Sequence, residues 1–339
     1  MGEPTFSIQW HITDTCDQRC KHCYIFGDRS KTVTLAETAY EKCVLIIDDL
    51  VATCEMLGAR PRVTLTGGDP LLHARFWDIL AYLGQKKVMT AILGNPFRID
   101  PEIAARLRGA GVTRYQLSLD GLEAKHDDWR KPGSFKATER AIAILKNADI
   151  KVGVMSTVSR DNAEDVLRLA AYVVSKSVDS YAFARYCPSA DSAGSMFTAL
   201  EYREFLVRAF EIYKKFEGGP TKFVLKDHLW LLLLSEMGLF KPEPTNGVIV
   251  SGCGLGISHL TVLPDGKVYA CRRFESPVGI VPDQSLAVIF QGQALTCYRD
   301  VKRMEKCADC ELACYCRGCM AVAHCATGRW TAPDPQCWK

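Results

Sequence analysis

The chain has 339 residues, 48% of them apolar, enough to bury a large core as one big domain with a smaller companion. Its formal charge is only +3, with acidic and basic residues mixed along the chain, so no basic stripe marks a nucleic-acid surface. No stretch resembles a signal peptide, and the one long apolar run, Leu229 to Leu234, is far too short to span a bilayer. A cytoplasmic protein with no membrane or nucleic-acid partner is expected, and sixteen cysteines in such a chain argue for metal chemistry over disulfides.

The alternating segment Phe6 to Ile12 predicts a half-buried strand. It runs into Cys16-Asp17-Gln18-Arg19-Cys20-Lys21-His22-Cys23-Tyr24, a CxxxCxxC loop able to wrap one inorganic cluster. A [4Fe–4S] cluster takes a ligand on each iron, so three cysteines leave one iron open. A reactive or zinc-binding loop is the alternative, although zinc normally takes four protein ligands or His-rich sets. Thr34-Leu35-Ala36-Glu37 reads as a capping box that opens a helix from Ala36 to Leu57, stopped by Gly58. Cys43 and Cys54 inside it read as small buried hydrophobes.

Val63 to Thr66 predicts a short strand ending in Gly67-Gly68-Asp69-Pro70. The glycines there let a ligand's polar group approach the backbone, though alone they make only a turn. Further strands are predicted at Met89 to Leu93, before Gly94-Asn95-Pro96; at Arg114 to Gly121, including its exit; at Val152 to Val158; and at Ser180 to Cys187. Helices fall at Pro101 to Arg108, Ser134 to Leu145 and Asn162 to Ser175, and Arg130 sits in the stretch His126 to Arg130 as a solvated loop charge or a ligand contact. Six strands alternating with helices give an α/β chain with a parallel sheet and right-handed crossovers. Tyr202 to Phe216 and Lys226 to Met237 are bridging helices, with Leu229, Trp230 and Leu233 as core.

Cysteine density rises from Cys253 onward. A hairpin follows, Leu260 to Leu263, the turn Pro264-Asp265-Gly266-Lys267, then Val268 to Cys271. Downstream stand Cys307, Cys310, Cys314, Cys316, Cys319, Cys325 and Cys337. Taken alone, paired Cys-x2-Cys motifs are common zinc knuckles.

With Tyr24 after its third cysteine, the N-terminal motif resembles the signature of the radical S-adenosylmethionine enzymes. The resemblance implies that Cys16, Cys20 and Cys23 hold a catalytic [4Fe–4S] cluster whose open iron chelates S-adenosylmethionine. Electron transfer would then give a 5′-deoxyadenosyl radical. Gly67-Gly68-Asp69-Pro70 is similar to the family's Gly-Gly-Glu-Pro, which holds the methionine amino group, with Asp69 where Glu is commoner. Ser118-Leu119-Asp120-Gly121 resembles the family stretch in which Ser118 and Asp120 face the ribose and methionine part. Arg130 would meet the methionine carboxylate, and Tyr24 and Asn95 complete the implied cofactor set.

Cys253, the Gly266-x4-Cys271 hairpin, Cys307-x2-Cys310-x5-Cys316, Cys319 and Cys337 resemble the SPASM extension, which carries two auxiliary [4Fe–4S] clusters. The resemblance assigns Cys253, Cys271 and Cys319 to the first and Cys307, Cys310, Cys316 and Cys337 to the second, three clusters in all. The spacing from Cys316 to Cys319 is one residue short, and His259 stands where a fourth ligand of the first cluster would be sought. Cys187, Cys297, Cys314 and Cys325 have no assigned place. The implied fold is a partial (β/α)6 TIM barrel over residues 1–200, bridging helices over 201–249 and a small cysteine-rich iron–sulfur domain over 250–339.

Such enzymes typically modify peptides. The implied activity is that of an oxidoreductase maturing a ribosomally made, cysteine-containing peptide, by a thioether, another crosslink or epimerisation. An epimerase needs a hydrogen-atom donor, and Cys187 at the sixth strand's end suits that role as well as inert packing. The runner-up, a sulfatase-maturating enzyme that makes formylglycine, demands a catalytic carboxylate that has no evident place here. Small-molecule relatives of haem and cofactor biosynthesis rank third, and a zinc-binding protein without catalysis is the alternative from another class. An electron donor such as flavodoxin or ferredoxin is an implied partner. Only Met1 to Thr5 precede the first strand, so leader recognition is expected from a separate protein or from the extension.

Overall fold

The computed structural model describes residues 4–26, 35–188 and 194–339. Strand β1 (Thr5–Thr13) leads into the cysteine loop, and α1 (Tyr40–Leu57), β2 (Arg60–Gly67), α2 (Phe76–Gln85), β3 (Met89–Leu93), α3 (Pro101–Gly109) and β4 (Arg114–Ser118) follow. Next come α4 (Glu123–Trp129), α5 (Ser134–Asn147), β5 (Lys151–Val158), α6 (Ala163–Ser175), β6 (Ser180–Arg185), α7 (Ala199–Lys215), β7 (Lys222–Phe223) and α8 (Trp230–Glu236). The last part carries β8 (His259–Val262), β9 (Lys267–Tyr269), β10 (Pro277–Ile280), α9 (Leu286–Gln291), α10 (Gln293–Thr296) and α11 (Met320–Thr327). Alternating strands and helices therefore hold, and no helix among the described residues is long and apolar enough to cross a membrane.

The chain divides into two units, residues 1–117, 136–153 and 255–297 in one, and 118–135, 154–254 and 298–339 in the other. In the first, the strand order is β10-β9-β8-β1-β2-β3-β4. β1 pairs in parallel with β2 on one side and with β8 on the other. Side chains alternate across a strand, so Ile8, Trp10, Val63, Leu65, Ile92 and Tyr115 share the buried face. Gln9 and His11 stand on the opposite face, in register with Thr64 and Thr66 of β2. Gln9 is also level with Thr261 of β8. Helix α1 buries Cys43, Ile46, Ile47, Leu50 and Cys54. Burial pushes the Cys43 thiol up to about 12 and that of Cys54 to about 11, as suits inert packing.

In the second unit β6 pairs in parallel with β7. Thr198 and Glu201 form a reciprocal capping box that starts α7. Leu229, Trp230 and Leu233 are buried core as expected, and Phe183 packs against Phe205 and Trp230.

Several boundaries differ from the sequence reading. Thr34 of the expected capping box lies outside the described residues; α1 begins at Tyr40, and its N-cap, Ala39, offers no side-chain oxygen. Glu37 instead accepts the Ala74 N–H and bridges to Thr13. Helix α8 starts at Trp230, four residues late, because the Asp227 carboxylate caps Leu229 and is committed to Arg185. β6 stops at Arg185, so Cys187 follows the strand by two residues and is half-buried. Helices α2 and α4 were not foreseen.

Candidate functional site

The three cysteines of the loop, Cys16, Cys20 and Cys23, are all half-buried. A one-turn bond from Cys23 N–H to the Cys20 carbonyl, 3.1 Å, sets the second and third on one bend. Gln18 sits inside the loop, 3% exposed, and its side-chain oxygen accepts from the Cys20 thiol at 3.2 Å. Cys16 Sγ accepts the Gln18 N–H at 3.4 Å and the Asn95 amide at 3.3 Å. Burial pushes this thiol up, and the two N–H donors oppose that by favouring the thiolate. Donors to a ligand sulfur also orient it and tune what it binds.

The loop is clamped to the exits of β2 and β3. The Gly68 N–H bonds the Thr13 carbonyl and the Asp69 N–H bonds the Thr15 carbonyl, each at 2.8 Å. A Cβ on Gly67 would overlap the Thr13 carbonyl oxygen, and one on Gly68 would overlap that of Thr15. Gly67 also has φ +137°, a conformation only glycine adopts without strain. The close approach seen at these glycines is that of the cysteine loop's own backbone.

Asn95, just after β3, ties three strand exits together. Its side-chain amide donates to Asp17 Oδ1 at 2.6 Å as well as to Cys16, and its carbonyl accepts the Tyr115 hydroxyl at 3.1 Å. Its backbone N–H donates to the Asp69 carboxylate. Asp69 is fully buried and accepts the Leu71 N–H at 3.3 Å, while its second oxygen has no partner among the described residues. Burial first, and the Asp17 charge second, raise its pKa to about 7.

Tyr24 packs its ring 5.9 Å from that of His11, and the Arg272 guanidinium lies over it at 5.4 Å. Gln9, with its amide oriented as its neighbours require, accepts from Arg272. His11 is held neutral, with its pKa lowered to about 3 by burial and by the Arg272 charge. This polar group on β1 was not singled out from sequence. The alternation of Gln9 and His11 with apolar neighbours was its only signal.

In the second unit, Asp120 at the exit of β4 is buried, and the Arg130 Nε pairs with it. Its other oxygen accepts the Thr157 N–H at 2.8 Å, and Asn162 donates to its carbonyl at 2.7 Å. Arg130 is therefore mostly buried and ion-paired, and Asp120 is the group it meets. Ser118 is half-buried where β4 ends.

Cys307 feels the charges of Cys310 and Cys337, and Cys316 that of Cys337. Burial pushes Cys307 up to about 11, with Cys310, Cys337 and Asp334 adding to the rise. Cys316 is pushed up to about 12 by burial, with smaller contributions from Asp334, Asp227 and Cys337. Arg317, buried beside them, donates to the Tyr298 and Cys253 carbonyls. Of the other expected ligands, Cys253 and Cys319 belong to this unit and Cys271 to the first. Cys271 and Ser276 exchange hydrogen bonds that close its hairpin end, 3.0 and 2.9 Å. Among the described residues no three His, Cys, Asp or Glu side chains converge as the ligands of one metal ion do. The ligands of a four-iron cluster each meet a different iron, so wider separation suits them.

The exits of neighbouring parallel strands clamp a loop of three cysteines, a donor set suited to an iron–sulfur cluster with one open iron. Residues 10–173 match the radical SAM superfamily, and residues 253–311 match the iron–sulfur cluster-binding SPASM domain. An AdoMet-dependent heme synthase of Methanosarcina barkeri is 26% identical over 97% of this chain and 95% of its own length. The mycofactocin maturase MftC of Mycolicibacterium smegmatis is 27% identical over 97% of this chain and 82% of its own. The solved structure of anSMEcpe with bound AdoMet and the Cp18Cys peptide superposes with a TM-score of 0.74 at 18% identity, covering 98% of this chain and 94% of that one. The chain belongs to the radical S-adenosylmethionine enzymes with a C-terminal SPASM domain, and its fold is their partial barrel with a cysteine-rich extension. S-adenosylmethionine and [4Fe–4S] clusters are the cofactors that these two domains imply.

Proposed function

We propose that this enzyme modifies a ribosomally made peptide by hydrogen-atom abstraction. The observation that carries the reading is the clamped cysteine loop, with two N–H donors on Cys16 Sγ, in a chain that matches a peptide maturase along 97% of its length. Cys16, Cys20 and Cys23 would hold the catalytic cluster, and Tyr24, Gly67, Gly68, Asp69 and Asn95 would frame the cofactor beside it. Bound there, the cluster and S-adenosylmethionine would supply radical chemistry able to take hydrogen from an unactivated carbon. The protein's share is positional. Asn95 fixes Cys16 against Asp17, and the β2 exit fixes the loop as a whole. Cys307, Cys310, Cys316 and Cys337 would hold an auxiliary cluster. An external donor such as flavodoxin or ferredoxin would supply the electron, and a cysteine-containing substrate forming a carbon–sulfur bond is the favoured product class.

A second reading, tetrapyrrole chemistry, is favoured by Arg272. Its guanidinium makes no ion pair among the described residues and stands among Gln9, His11 and Tyr24 on the polar face of β1. A planar fork in that setting suits a carboxylate, and a coproporphyrin carries several. Anaerobic turnover with peptides encoded beside the gene, and in parallel with iron coproporphyrin III, separates the two by mass spectrometry. The peptide reading expects 5′-deoxyadenosine together with loss of hydrogen from a peptide. Decarboxylation of the tetrapyrrole with every peptide unchanged would refute it.

A further inference from the structure

Arg185, the last residue of β6, is a fully buried cation. Its Nε donates to Asp227 at 2.9 Å, and both terminal nitrogens fork onto Asp334 at 2.8 Å. The Gln336 side chain accepts a further bond at 2.8 Å, and the ring of Tyr202 lies 4.9 Å from the guanidinium. Buried charges this well partnered are held in one geometry, because a lost partner strands a charge in a medium that solvates it poorly.

Asp334 faces two ways. One oxygen also accepts the Cys319 N–H at 2.8 Å and the other the Gln336 N–H at 3.0 Å, while its carbonyl accepts the Cys337 N–H at 3.0 Å. Gly318 has φ +59°, and a Cβ there would sit 2.8 Å from that of Asp334, so the turn before Cys319 is moulded onto this residue. Its charge is also felt at Cys307 and at Cys316.

We propose that Asp334, anchored by Arg185, is the positioning residue of the cluster held by Cys307, Cys310, Cys316 and Cys337, and that it keeps that cluster's reduction potential low. The inference rests on that ligand set. Arg185, Asp227 and Asp334 together carry one net negative charge, and Arg317 is the buried cation nearby. Negative charge beside a cluster disfavours the one-electron-reduced form, so removing it raises the potential and removing the arginine lowers it.

The test uses full-length protein reconstituted with iron and sulfide, with Cys16, Cys20 and Cys23 changed to Ala to silence the catalytic cluster. Paramagnetic resonance follows reduction by dithionite at controlled potentials, and Cys337→Ser identifies the signal. Should Cys337→Ser leave every signal and the iron content unchanged, the ligand assignment itself has failed. With the assignment standing, Asp334→Asn should raise the reduced-to-oxidised ratio at fixed potential at least fivefold. Arg185→Gln should lower it by a comparable factor, and Arg185→Lys should leave it near the parent. Opposite signs are a signature that a purely structural role does not produce. Should Asp334→Asn lose its iron, the comparison of Arg185→Gln with Arg185→Lys carries the test. Equal ratios in all loaded variants would overturn the proposal.

Discussion

Asp69 offers a quantitative check on the clamp. Its carboxyl is fully buried, with its pKa raised to about 7 by burial and by Asp17, against the N–H donors of Leu71 and Asn95 and the charge of Arg98. In the unfolded chain the carboxyl titrates near its ordinary value of 3.8. Between these values the folded state holds a proton that the unfolded state has lost. Stability from this group is therefore full below about pH 4, falls as pH rises to about 7, and is level above that. At about 1.4 kcal/mol per pH unit the window amounts to roughly 4 kcal/mol, an upper figure because a buried site relaxes around its charge. Asp69→Asn keeps the shape and removes the titration. Urea unfolding of anaerobic, metal-free protein at half-unit pH steps should show the variant close to the parent near pH 4 and more stable by about 2–4 kcal/mol at pH 8. A difference that stays constant from pH 4 to pH 8 would refute the reasoning.

Changing Cys16, Cys20 and Cys23 together to Ala should abolish 5′-deoxyadenosine formation and leave part of the iron in place; full cleavage activity would remove them from the site. Gly67→Ala forces a side chain onto the Thr13 carbonyl at a φ of +137°. It should cost about 3 kcal/mol or more and lower iron per chain, read by thermal unfolding and iron analysis. Arg130→Met leaves the buried Asp120 carboxylate without its cation. A loss of about 3–5 kcal/mol in urea unfolding is expected, and a change under 1 kcal/mol would mean that the pair is not buried as described. For an epimerising enzyme, Cys187→Ala should still form 5′-deoxyadenosine but stall or divert the product, and an unchanged product ratio measured by chiral amino-acid analysis would exclude that role.

The strand ends and the cysteine loop were legible because their signals are local. Phe6 to Ile12 alternates cleanly, Met89 to Leu93 is bounded by glycine and turn residues, and three cysteines in eight residues admit few readings. What sequence could not supply was long-range pairing. Strand β8 continues the sheet beyond β1, a contact between residues some 250 positions apart that no periodicity announces. Helix α8 lost its first turn to Asp227, whose capping and pairing depend on Arg185 being there. Helix α4 hid because its seven residues hold two aspartates, a glutamate and a histidine, and its start is fixed by tertiary bonds. His126 supplies them, accepting the Asp120 N–H on one side and meeting Ser134 on the other.

The Gly67-Gly68-Asp69-Pro70 turn shows how one motif can carry several loads at once. Its two glycines let the chain before Cys16 lie directly on the β2 exit, and its N–H groups bond that chain. Its carboxyl turns back toward Leu71 and Asn95, which in turn grips Cys16 and Asp17. A glutamate, one methylene longer, would have to fold back or displace Gly94, whose own Cβ position lies only 3.0 Å from Asp69 Oδ1. The aspartate is thus matched to a glycine at position 94 and to the Tyr115 hydroxyl that crowds it. Side-chain length at position 69 and the absence of a side chain at position 94 form one packing solution. Changing either alone should disturb the loop that both of them hold.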